Sequence, residues 1–123
     1  MPEQVPAIRV LMMPRETNAY GTIFGGIILS YIDQAGAVGA IEAGCGQVVT
    51  VAMNKVEFHA PVYVGDLVSL YTKIESRGRT SIVVHVDVRA RRQRDASNEV
   101  SVTEATVTYV NIDGEGQPVP IRT

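Results

Sequence analysis

At 123 residues the chain suits one domain, because an independent core ordinarily takes about 100 residues or more. Its 46% hydrophobic and 20% charged content excludes a disordered chain and predicts a packed core. A net charge of −2 excludes general attraction to nucleic acid or an anionic membrane, so an anionic ligand needs a local basic cluster.

Met1 to Pro6 lack the basic start and apolar run of a signal peptide, and no apolar run approaches about 18 residues, so neither export nor a membrane span is expected. Ala7 to Met13, apolar apart from Arg9 and stopped by Pro14, reads as a short strand. The loop Arg15 to Thr22 follows. Gly26 to Ala43 is too long for an ordinary strand and is closed by Gly44 and Gly46, which predicts a helix. Apolar or small residues lie on nearly every side of it, so protein should surround it. The single cysteine, Cys45, sits between those glycines; it permits no intrachain disulfide or multi-thiolate zinc site, fits a reducing cytoplasm and reads as structural.

Alternating β-branched runs then predict strands at Val48 to Phe58, Leu67 to Ser76, Thr80 to Arg91 and Val100 to Ile112. Pro61 to Asp66 and Arg77-Gly78-Arg79 resemble tight reversals, so successive strands are expected to pair antiparallel. The order β-α-β-β-β-β fits an α+β fold, a curved antiparallel sheet around one central helix. Such a chain leaves sheet edge and apolar surface uncovered, which predicts at least a dimer.

Asp33 is the residue that asks for an explanation. A carboxylate in an apolar helix loses hydration, which costs several kcal/mol unless it is paired or protonated. No Lys or Arg lies three or four positions away, so a partner must come from elsewhere in the fold. Loss of water would also make it a better base than a solvated aspartate. The bland alternative is an acid that caps a neighbouring loop or pairs with an arginine. Gly25 and Gly26 enter the helix, where free N–H groups and the helix dipole can stabilise the oxyanion of acyl transfer, or where glycine serves packing alone. Asn18 can orient a water, hold a carbonyl oxygen, or simply form an Asx turn.

Six of the eleven basic residues fall between positions 77 and 94: Arg77, Arg79, Arg89, Arg91, Arg92 and Arg94. Arg79-Thr80-Ser81 at a hairpin combines a guanidinium with two hydroxyls, which suits phosphate. Against this stands a water-facing strand surface, the stronger reading for Arg92 and Arg94. His59 and His85 have no metal-ligand spacing and read as packed or surface residues.

Taken together, Asn18-Ala19-Tyr20-Gly21-Thr22-Ile23-Phe24-Gly25-Gly26 continuing through Asp33 to Gly36 resembles the signature of hotdog-fold acyl-CoA thioesterases. Phe58-His59-Ala60-Pro61-Val62, Val64-Gly65-Asp66 and Gly78-Arg79-Thr80-Ser81 extend the resemblance from about Met13 to Ile112. It implies hydrolysis of short- to medium-chain acyl-CoA to free acid and CoA, without cofactor or metal. It also implies Asp33 as base or nucleophile, Asn18 supplied by the facing subunit, and oxyanion contacts near Gly25 and Gly26. CoA phosphate contacts are implied near Arg79, Thr80 and Ser81, with Arg77 beside them. The assembly implied is a homodimer as minimum unit, or a trimer of dimers. Two rivals remain: a hydratase or dehydratase of the same fold, and a non-catalytic acyl-CoA-binding module.

Overall fold

A computed structural model describes residues 4–92 and 98–122. The elements run β1 (Ile8–Leu11), a single 3-10 turn (Pro14–Glu16), α1 (Gly25–Glu42), β2 (Gln47–Phe58), β3 (Leu67–Arg77), β4 (Ser81–Arg91) and β5 (Glu99–Ile112). The element order is the one expected, with α1 beginning and ending one residue earlier. Arg94 lies outside the described residues.

Five antiparallel strands form one sheet in the order β1-β3-β4-β5-β2. The expectation that every successive pair of strands is adjacent fails for β2 and β3. The segment between Phe58 and Leu67 is no tight reversal. It carries the chain across the end of the sheet, tied down by His59 and Ala60 N–H groups donating to Val102 O. β2 thereby becomes a long edge strand. Two register breaks bend it, and Lys55, at φ 53°, occupies the left-handed region inside the second.

Alternation decides which side of the sheet meets the helix. In β4, Ile82, Val84, Val86, Val88 and Ala90 are fully buried, while the odd-numbered residues between them face outward. α1 lays Ile28, Ile32, Ala35, Gly36, Gly39 and Ala40 on this apolar floor, a stripe with the three-to-four spacing of one helix face. Small residues bring it close: a Cβ on Gly39 would stand 2.9 Å from Thr72 Oγ1. The other face is open in the single chain, with Ser30, Gln34 and Ile41 exposed. The surrounding protein anticipated for α1 is thus supplied on one side only.

After β5, Asp113 nucleates a turn and the tail folds back, Val119 N–H donating to Asn111 O and Ile121 N–H to Arg79 O. Ile121 is buried beneath the C-terminal end of the helix.

Candidate active site

Asp33 stands in the middle of α1 and is half-buried. Its Oδ1 accepts a 2.6 Å hydrogen bond from Thr50 Oγ1. Thr50 sits at the first register break of β2, where the bulge redirects the strand. No cation pairs with Asp33, and its Oδ2 has no partner, among the described residues. The loop-capping and arginine-pairing alternatives therefore find no support among the described residues.

Below it, the Tyr109 hydroxyl donates to the Asp33 carbonyl oxygen at 2.6 Å. Burial, with the Asp33 charge second, pushes the Tyr109 phenol far above its ordinary value and keeps it a donor. Gly36 makes room for this ring, since a Cβ there would lie 2.2 Å from the Tyr109 oxygen.

Asn18 is bound into its own loop. Its Oδ1 accepts from Tyr20 N–H at 2.8 Å and Thr22 N–H at 3.2 Å, and its Nδ2 donates to Thr22 Oγ1 at 2.8 Å. The Asx-turn reading thus describes its local role. Because Oδ1 faces two backbone donors the amide orientation is determined, and one Nδ2 hydrogen is left to donate elsewhere. The loop is anchored by Ile23 N–H on Val62 O and by Phe24 N–H on Glu16 O.

The N–H groups of Gly25 and Gly26 meet no acceptor among the described residues, as expected for the first turn of a helix. Beside Gly25 lies a cavity of about 330 Å³ whose walls include Ile23, Ile28, Phe58, Ala60 and Val62. It is a mainly apolar space, lined also by His59 and Thr103, next to free donors. Space alone does not demand glycine there: a Cβ on Gly25 would rest at 3.6 Å from the Phe58 ring, an ordinary contact.

Eight residues separate Gly25 from Asp33 on one helix, or about 12 Å along its axis at 1.5 Å per residue. One thioester carbonyl cannot touch both within a chain.

At the β3–β4 hairpin, Arg77, Arg79, Thr80 and Ser81 lie together, but their groups are not equally free. Arg77 donates from Nη2 to Ala43 O at 2.9 Å and to Arg122 O at 3.1 Å, closing the C-terminal end of α1 against the tail. Arg79 is exposed and Thr80 and Ser81 are half-buried. Arg92 is no solvated surface residue. It pairs with the buried Asp66, donates to Pro61 O and lies 5.0 Å over the Tyr63 ring. His59 and His85 both meet Glu104, at 2.8 and 3.6 Å. Cys45 is buried, and desolvation raises its thiol pKa against the opposing effect of Arg77.

Thr50 and Tyr109 are the functional neighbours that the sequence did not disclose. Neither has a motif; the one available signal was a glycine, Gly36, inside a helix, which implies a close neighbour.

The sequence pattern of the thioesterase superfamily matches residues 20–97. The acyl-CoA thioester hydrolase YciA of Salmonella typhimurium is 38% identical over 122 residues, covering 98% of this chain and 92% of that protein. Among solved structures, the hexameric hotdog fold thioesterase Cj0915 of Campylobacter jejuni superposes with a TM-score of 0.90 at 44% identity, over 95% of this chain and 90% of that one. An acyl-CoA hydrolase of Staphylococcus aureus, solved with butyryl coenzyme A, coenzyme A and coenzyme A disulfide, gives a TM-score of 0.85 at 27% identity, over 93% and 69%.

Proposed function

Because the chain belongs to the thioesterase superfamily and is an acyl-CoA thioester hydrolase of the hotdog fold, we propose that it cleaves short- to medium-chain acyl-CoA to free acid and CoA in the cytoplasm. Asp33 is its catalytic carboxylate, as general base or nucleophile. The observation that carries this reading is a carboxylate held by Thr50, with no cation to neutralise it and one oxygen free. In the simplest chemistry, Asp33 Oδ2 takes a proton from water as the water oxygen attacks the thioester carbon. Backbone N–H groups at the start of a helix hold the oxyanion, and collapse expels the CoA thiolate, which takes up a proton. Direct attack by Asp33, giving a mixed anhydride, is the other route. Single turnover in ¹⁸O-water places label in Asp33 only by the anhydride route with water attacking the Asp33 carbon, so label found there establishes that route.

The donors come from a second protomer, on this reading. Asn18 Nδ2 and the Gly25 and Gly26 N–H groups of one chain face Asp33 of the other. The free edge of β2 and the exposed Phe24, Ile41, Val49, Val51 and Phe58 support a dimer on this side. The Campylobacter relative is hexameric, and a trimer of dimers is the assembly proposed here. The Staphylococcus relative, solved with butyryl coenzyme A, supports a short acyl group as substrate. Arg79, Thr80 and Ser81 are proposed to meet CoA phosphate, Arg77 serving to hold the helix end.

Complementation tests the shared site. Asp33→Ala and Asn18→Ala should each be nearly inactive. Co-expressed in equal amounts they should recover about a quarter of parental activity, since half of randomly paired dimers carry one intact site of two. Full activity of purified Asp33→Ala on several acyl-CoAs would sink the assignment of Asp33. A dehydratase reading draws no support from the histidines: His59 lines the cavity beside Gly25, but both it and His85 are engaged by Glu104 on β5.

A further inference from the structure

The sheet face turned away from α1 carries a cationic cavity that shares no residue with the candidate active site. Strand register sets Arg9, Ser69 and Arg89 in one row across β1, β3 and β4, and puts Arg91 opposite Glu99 one row further on. Alternation sends these side chains outward, because Val68, Leu70, Val88 and Ala90 between them are fully buried on the helix side. They enclose about 460 Å³ lined by Gln4, Arg9, Tyr71, Arg89, Arg91 and Glu99.

The donors of the three guanidiniums are not equally used. Arg89 is committed: its Nε donates to Asp87 at 2.7 Å and its plane lies 4.6 Å over the Tyr71 ring. Arg9 donates from Nε to Ser69 Oγ at 2.8 Å, and its terminal nitrogens have no acceptor among the described residues. Among the described residues Arg91 meets only Glu99, at 3.9 Å, too far for a hydrogen bond. Its Nε is buried without a partner among the described residues. The Arg91 side chain is 38% exposed, so its terminal nitrogens are open to an acceptor that enters the cavity.

Glu99 stands 3.9 Å from both Arg89 and Arg91, so it offsets the charge without supplying the missing bonds. With Asp87 on Arg89, the set retains one net positive charge and two forks of open N–H donors. A dianion with several acceptor oxygens answers both, as a single carboxylate would not.

We propose that this outer-face cavity binds the phosphate of a phosphorylated small molecule, with Arg9 and Arg91 as its ligands. The phosphate comes from the nucleotide end of CoA or from a free nucleotide. The CoA source rests on the thioesterase reading; direct binding tests the cavity itself even if no acyl-CoA is turned over.

Calorimetric titration of the intact protein with inorganic pyrophosphate and with ADP at low salt is the experiment. The parent should bind, and Arg9→Ala/Arg91→Ala should bind at least roughly tenfold more weakly, as expected when charged hydrogen bonds are lost. Arg9→Lys/Arg91→Lys keeps the charge but not the forks and should fall between them. Steady-state kinetics then separate the two sources. If the phosphate belongs to CoA, KM for butyryl-CoA rises in the alanine variant while KM for butyryl-pantetheine stays unchanged. If it belongs to a free nucleotide, both KM values are unchanged while pyrophosphate binding falls. The proposal is overturned if the parent binds neither probe, or if the variants bind as the parent does. It is equally overturned if light scattering shows a changed assembly with probe binding intact, since the arginines would then serve another protomer.

Discussion

The Tyr109 hydroxyl reaches the carbonyl oxygen of Asp33 through the space that a side chain at Gly36 would fill. The backbone that carries the Asp33 carboxylate is thereby fastened to β5. Gly36→Ala should destabilise the protein by about 1–3 kcal/mol, the usual cost of overpacking. Alanine's better helix propensity returns at most about 1 kcal/mol, and the fully buried Tyr109 ring has nowhere to retreat. Denaturant unfolding measures the loss. In a Tyr109→Phe background the same change should cost less, a non-additivity that identifies the hydroxyl as the obstacle.

Thr50 holds one oxygen of Asp33 and leaves the other open. Thr50→Val should lower kcat several-fold to roughly tenfold, with KM little changed, because a slightly misplaced base loses alignment more than substrate affinity. Thr50→Ser should restore most of the rate. Equal losses for valine and serine would show that the hydroxyl does not orient the acid.

Arg92→Ala strands the buried carboxylate of Asp66. Breaking a buried pair by removing one partner costs about 3–5 kcal/mol, and the partial exposure of Arg92 places this case at or below the lower end. A lowered denaturant midpoint at unchanged m-value is the expected result. The paired change Arg92→Met/Asp66→Asn should recover part of it, since the asparagine needs no counter-charge.

Asp113 has its carboxyl pKa lowered chiefly by the backbone N–H groups of Gln117 and Glu115. A depressed carboxylate adds stability above its unfolded pKa and loses it as pH falls through the folded one. The turn that returns the tail to the helix end should therefore loosen in acid, below the ordinary aspartate range. Amide exchange at Gln117 and Glu115, referenced to β4 amides, reports it, and Asp113→Ala should remove the pH dependence.

Local pattern was enough to place most of this protein's elements. The period of two in β4, the unbroken small and apolar run of α1 and the glycines at its end marked strand and helix within a residue or two. An acid with no helical neighbour to pair with was visible as an anomaly. Strand order was less legible, because Pro61 and Gly65 signal a turn without saying that the chain crosses the end of the sheet. Arg92 was misjudged for a similar reason: its partner Asp66 is 26 residues away.

What the sequence by itself determined is chemistry that depends on residue type and short spacing: Asp33 in an apolar helix, glycines before it, a basic cluster after Ser76. What only the tertiary structure decided is which groups meet. Thr50, Tyr109 and the Arg9–Arg91 cavity depend on strand register, and register is set by the packing of whole faces. The 1.5 Å rise of a helix then separates Gly25 from Asp33 by about 12 Å, a distance that one chain cannot close.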